Sequence, residues 1–377
     1  MVARLPRLVL RTLFAFTLIT ASHLLPAAIQ LTGEFSPATS TFQVSRESLE
    51  EKSFTPVQEG SLHEGELHSS FTAEPGLFLL QVGAAKGSFI ARDGQTLQVR
   101  LSADGKTLIL EGTPDQSLYR AYEEFRTASL KRLVLQVREA IAQARSAGDQ
   151  SRVEKLTEDE VTGYLAHRRE LNDFTLEKLG GSATLYAASL RWDGDYRLDE
   201  LKQTVEAFAK NQGQLEITQR MRERIARFER VSVGSIAPEL AAKTPNGETL
   251  RLSSLQGKVV LVDFWASWCS PCRIENRHYV KSYQDYHSAG FEILAVSVDA
   301  RANDWKSAIA KDNATWLHIS DLTGWKSPLA ATYNVSALPA SFLLDRDGRI
   351  IAKDLRGDTL QKKLHELLGT GRSSQRF

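Results

Sequence analysis

Cys269 and Cys272 are the only cysteines in a chain of 377 residues, and only Ser270 and Pro271 separate them. On a helix that spacing brings both sulfurs onto one turn, close enough to close a small-loop disulfide. The reactive form of cysteine is the thiolate, and a free thiol with a pKa of ~8.5 supplies little of it at neutral pH. A helix N-terminus offers unpaired N–H groups and the positive end of a dipole, which favour the anion. Pro271 suits a first helical turn, where its missing N–H costs nothing. The pattern therefore predicts Cys269 at a helix start as nucleophile and Cys272, one turn in and more buried, as the resolving thiol. The cycle would be attack on a substrate disulfide, a mixed disulfide, and release by Cys272. Two other uses of the pair compete. Zinc takes about four ligands, usually with a second cysteine pair, and there is none here. A purely structural disulfide over so short a loop would constrain little of the unfolded chain.

The element that must position the pair is Val259 to Val262, a continuous aliphatic run that reads as a strand covered on both faces. Val262-Asp263-Phe264-Trp265-Ala266, followed by Trp268-Cys269-Ser270-Pro271-Cys272, resembles the thioredoxin active-site segment. The wider context resembles the exported thioredoxin-like thiol–disulfide oxidoreductases of the TlpA/ResA kind, over roughly the last 140 residues from Gly234 onward. The resemblance implies an α/β thioredoxin-like C-terminal domain, a mixed sheet with helices on both faces. The hairpin signal Pro245-Asn246-Gly247 ahead of the central strand agrees with that group.

Other residues acquire roles from position and resemblance. Asp263 lies inside an apolar strand, so burial should raise its pKa, and a carboxyl titrating near neutrality could exchange a proton with Cys272. The resemblance implies that relay; a carboxylate in a salt bridge or reaching solvent is the alternative. Trp268 is expected to line the substrate approach, and Trp265 to pack in the core. Glu275 matches a position linked to tuning in the resembled group, against an ordinary solvated helix carboxylate. Arg277 stands where many relatives have a helix-kinking proline, so a straighter helix is expected. Pro339 matches the family's cis-proline, which would leave the Leu338 backbone to pair with a substrate strand by β-augmentation; a trans-proline in a plain loop is the alternative. Ala337 and Ala340 replace the Gly and Thr common in the group, which alters pocket shape.

Ahead of this domain, residues 1–28 read as an export signal: Arg4, Arg7 and Arg11, an apolar run from Thr12 to Leu25, then Pro26-Ala27-Ala28. A retained anchor is the alternative, although about 20 apolar residues are needed to span. Export to a periplasmic or other extracytoplasmic space fits disulfide chemistry. Residues 29–113 are read as a small antiparallel β domain. Its first part, about 30–60, is a linker or loose strands, and hairpin signals such as Asp93-Gly94 and Asp104-Gly105 lie further on. Residues 114–231 are read as a helical segment in which Leu130, Leu133, Val134, Val137, Ile141 and Ala144 form one apolar face. Arg220, Arg222, Glu223, Arg224 and Arg227 read as a solvated helix face, with a partner or homo-oligomer surface as the alternative. Residues 232–377 are the redox domain.

A net charge of +1 gives no reason to expect a nucleic-acid partner. No glycine-rich phosphate loop is found, and no metal, flavin or nucleotide cofactor is implied. The expected activity is dithiol–disulfide exchange on extracytoplasmic protein thiols and disulfides, as a reductant recharged by a membrane electron donor. A potential of roughly −200 to −270 mV would suit that role. Two alternatives remain: a thiol peroxidase, and a binding scaffold whose redox domain is regulatory.

Overall fold

The computed structural model describes residues 28–36, 41–48 and 53–369. Residues 1–27, on which the export-signal expectation falls, and residues 370–377 lie outside this range.

The described residues open with eight strands: β1 (Ile29–Glu34), β2 (Thr41–Ser48), β3 (Ser53–Ser61), β4 (Glu66–Phe71), β5 (Gly76–Val82), β6 (Ala85–Ala91), β7 (Thr96–Leu101) and β8 (Leu108–Glu111). They form two four-stranded sheets, ordered β4-β1-β7-β8 and β3-β2-β5-β6. The pairing is antiparallel except for β1 beside β7, which run parallel. Leu31, Val44, Phe78, Phe89 and Leu97 share one core. The stretch expected as a linker or loose strands thus supplies β1, β2 and β3. Ile29 and Leu31, then Phe42 and Val44, turn alternate side chains inward, the period of a half-buried strand. β3 hides the signal best, because none of its residues is fully buried.

The helices follow. Thr113 caps α1 (Pro114–Leu130) by accepting from the Gln116 N–H at 3.1 Å. A π-helical turn at Lys131–Leu135 carries the chain into α2 (Gln136–Ser146), so the helix expected around 130–144 starts well upstream. Gly148, at φ 71°, turns the chain, and Asp149 caps α3 (Gln150–Lys178). Gly163 lets α3 approach the π turn closely: a Cβ there would lie 2.1 Å from the Leu133 carbonyl oxygen. α4 (Thr184–Ser189), α5 (Leu198–Gln212) and α6 (Glu216–Glu229) complete the segment around Tyr122, Trp192, Leu201, Met221 and Phe228.

The last part contains β9 (Ala241–Lys243), β10 (Thr249–Arg251), β11 (Val259–Trp265), α7 (Ser270–Tyr286), β12 (Phe291–Ser297), α8 (Ala302–Lys311), β13 (Leu317–Ser320), α9 (Pro328–Thr332), β14 (Ala340–Leu344), β15 (Ile350–Lys353) and α10 (Gly357–Leu368). Their sheet runs β10-β9-β13-β12-β11-β14-β15, with β11 flanked by parallel β12 and antiparallel β14. Every residue of β11 is buried, which is what its unbroken apolar run requires. α7 is one unbroken helix across Arg277. The helical segment sits against this part through ion pairs Arg277–Glu154 at 2.9 Å and Lys353–Asp195 at 2.6 Å.

Candidate active site

β11 delivers the chain to a short loop and then to the start of α7. The loop is tied down from two sides. Asp299 accepts from the Ser267 N–H at 2.9 Å and from its hydroxyl at 2.6 Å. Arg273 donates to the Ser267 carbonyl at 3.1 Å, and Arg273 and Asn276 both donate to Asp312. Cys269 is the N-cap of α7, with extended backbone, and its Sγ accepts from the Cys272 N–H at 3.3 Å. Pro271 lies in the first helical turn, as the sequence requires. The two sulfurs are joined in a disulfide. Cys269 is 5 % exposed and Cys272 1 %, so Cys269 is the more accessible of the two.

Asp263 is buried near the centre of the sheet, opposite Ala295 and Ser341 in register. Burial pushes its carboxyl up to about 7. Its partner is the neutral Tyr279 phenol, which donates to Oδ1 at 3.0 Å and pulls the other way. Glu275 is also buried, which removes the solvated-carboxylate alternative; it accepts from the Gly357 N–H at 2.9 Å at the start of α10. Burial raises the Glu275 pKa as well, opposed by the Gly357 N–H and by His278 and Arg356. Trp265 is fully buried, as expected for core packing.

The Leu338–Pro339 bond is cis. Ala340, the first residue of β14, pairs with Phe264, so Leu338 and Pro339 lie beyond that pairing, beside the loop that leads to the cysteines. The Pro339 carbonyl accepts from Arg356 at 2.9 Å. Among the described residues the Leu338 backbone makes no hydrogen bond. Pro271, Leu338 and Pro339 line one cleft of about 300 Å³, and its opposite wall includes Tyr164 and Arg168 of α3.

Trp268 is 57 % exposed and sits 6.1 Å, ring centre to ring centre, from Trp325, itself 50 % exposed. Sequence reasoning passed over Trp325, which lies in a 3-10 turn at Gly324–Lys326 with no local motif around it. It also passed over Tyr279. There a signal existed, since seven residues from Cys272 is two turns along the same helical face.

A buried carboxyl on the strand that leads to a helix-capping cysteine pair, a cis-proline on the cleft that Pro271 also lines, and a β11–α7–β12 crossover in a mixed sheet define a thioredoxin-like redox domain. Residues 233–353 match the family model described as AhpC/TSA family. ResA, a thiol–disulfide oxidoreductase of Bacillus subtilis, is 31 % identical over 143 residues, covering 37 % of this chain and 76 % of that protein. ResA of Bacillus thuringiensis subsp. konkukian is 30 % identical over 140 residues, covering 37 % of this chain and 79 % of that protein. Among solved structures, the thioredoxin domain of a thiol–disulfide oxidoreductase from Bacteroides vulgatus is 35 % identical, with a TM-score of 0.35 over 36 % of this chain and 97 % of that one. A thiol–disulfide oxidoreductase from Bacteroides fragilis is 34 % identical, with a TM-score of 0.34 over 36 % of this chain and all of that one. The chain belongs to the ResA family of thiol–disulfide oxidoreductases, with its β and helical parts added ahead of the shared domain.

Proposed function

We propose that the protein reduces disulfides of extracytoplasmic proteins through Cys269 and Cys272. The reduced Cys269 thiolate attacks one sulfur of the substrate disulfide. That S–S bond breaks, the departing sulfur leaves as a thiolate and takes a proton, and a mixed disulfide forms. The Cys272 thiol then gives its proton to the Asp263 carboxylate and attacks Cys269 Sγ. The second substrate sulfur leaves, and the Cys269–Cys272 disulfide closes. An external dithiol donor at the membrane returns two electrons and two protons to restart the cycle.

The observation that supports this reading most is the placement of Cys269. It caps α7, with the Cys272 N–H aimed at its sulfur at 3.3 Å, which favours a thiolate once the pair is reduced. Asp263 suits the proton relay because it is buried, has a pKa of about 7, and lies on the strand that leads into the cysteine loop. The unbonded backbone of Leu338 suits strand pairing with a substrate, and the exposed Trp268–Trp325 pair offers an apolar surface next to Cys269 in sequence. Glu275 acts as a tuning group for Asp263, since its own charge raises the Asp263 pKa.

The direction of electron flow is tested by equilibrating the full chain with glutathione buffers and trapping the thiol state. A reductant is expected at roughly −200 to −270 mV; a value near roughly −120 mV, the strong-oxidant end, overturns this direction.

A further inference from the structure

Next to the cleft lies a larger hollow of about 720 Å³, and the two share a wall: Arg168, Phe228 and the segment 334–336 line both. Arg191, Arg220, Arg224 and Arg227 join Arg168 around the hollow, against the carboxylates of Glu47 and Glu223. Five guanidinium groups thus face two carboxylates.

The charges are unevenly satisfied. Arg220 pairs with Glu216 at 3.5 Å and Glu223 at 3.8 Å, and Arg191 lies 3.6 Å from Glu123. Arg222, on the outer side of α6, pairs with Glu206 at 2.6 Å. Among the described residues neither Arg224 nor Arg227 makes an ion pair. Burial and then the like charge of Arg227 disfavour the protonated form of Arg224, yet a guanidinium keeps its charge. The solvated-face reading of α6 therefore holds for Arg222 and fails for Arg224. A cluster of this kind is relieved by anions that bring oxygen acceptors to the guanidinium forks.

The hollow is also placed in line with the docking backbone. Asn334, Val335 and Ser336 separate it from the cleft, and the chain reaches cis-Pro339 three residues after Ser336. An extended peptide advances ~3.3 Å per residue, so a strand laid beside Leu338 crosses that wall within a few residues of the reacting disulfide. We propose that the hollow takes the carboxylate side chains of an acidic stretch flanking the reacting cysteine of the substrate protein, so that the helical segment selects acidic substrates. This rests on the reading of Leu338 and Pro339 as the substrate-docking backbone.

The test uses two disulfide-bonded peptides, identical except for three Glu or three Gln on one side of the cysteine. Each is mixed with the pre-reduced full chain in single-turnover experiments. The Glu peptide is expected to react about tenfold faster at low salt, and the ratio to fall toward one at high salt. In the R224Q/R227Q variant the low-salt ratio should collapse to about one. Equal rates for both peptides with the unmodified protein overturn the proposal, as does a preference that survives in the variant. If the variant does not fold, the salt dependence of the ratio decides alone. Binding of inorganic pyrophosphate that needs Arg224 and Arg227, without discrimination between the peptides, also overturns it and assigns the hollow to a free anion. Failure to reduce either peptide would instead count against the docking and reductase reading.

Discussion

Tyr279 donates its phenolic hydrogen to Asp263 Oδ1 at 3.0 Å, from a position two helical turns beyond Cys272. The bond stabilises the ionised carboxylate, while burial and the nearby Glu275 disfavour it. Burial, Tyr279 and Glu275 are thus the largest influences on where the Asp263 carboxyl titrates. Tyr279→Phe removes the lowering influence, so the pH midpoint for resolution of the mixed disulfide should move above about 7. Stopped-flow rates of the second step across pH 5 to 9 would show it; an unmoved midpoint would remove Tyr279 from the relay.

Asp263→Asn should slow the second step by roughly a hundredfold or more, the range expected for loss of a positioned proton carrier. The first step, attack by Cys269, should change much less. Rapid quench of the mixed disulfide separates the two, and equal slowing of both would argue for a structural rather than a relay role.

The same carboxyl has a stability consequence whose sign is fixed. Its folded pKa of about 7 lies above the ordinary aspartate value of 3.8, so between those pH values the folded state holds a proton the unfolded state has lost. Stability must fall as pH rises through that window and level off above it. The full penalty above pH 7 is on the order of 4 kcal/mol as an upper bound. Asp263→Asn should reduce the slope. Urea melts of both proteins at pH 5 and pH 8 give the comparison, and parallel slopes would contradict the assignment.

Glu275 holds the first N–H of α10 through Gly357 at 2.9 Å. Glu275→Ala should cost about 1 kcal/mol, as for other lost helix N-terminal partners. It should also lower the Asp263 pKa, because a like charge is removed. Thermal melts and the pH profile of resolution read the two effects separately.

Gly163→Ala would place a methyl 2.1 Å from the Leu133 carbonyl oxygen, a backbone atom that cannot swing aside. A loss of roughly 1–3 kcal/mol or more is expected, measured as a lowered Tm. An unchanged Tm would mean that α3 and the π turn move apart freely.

Much of the redox site was legible because its parts are contiguous. Asp263, Trp268, Cys269 and Cys272 fall within ten residues on one apolar strand and its following turn, and Leu338-Pro339 directly precedes another buried strand. What was not legible depends on folding distant segments together. Gly357 reaches Glu275 across 82 residues, and Glu47 on β2 meets Arg224 on α6 only in the folded hollow. The helix period alone cannot say that Arg222 turns to Glu206 while Arg224 turns inward. The early strands escaped for a simpler reason: their outward faces are polar and β3 is hardly buried, so few apolar residues marked the alternation.

The most direct test of the central claim is a mixed-disulfide trap with Cys272→Ala, expressed as the full 377-residue chain. Cys269 can then attack but cannot be released. Discrete adducts that vanish on reduction, and are absent in Cys269→Ser, are the predicted result. No adducts, with Cys269 shown by alkylation to be a free and reachable thiol, would contradict the account of Cys269 as the attacking sulfur toward protein disulfides.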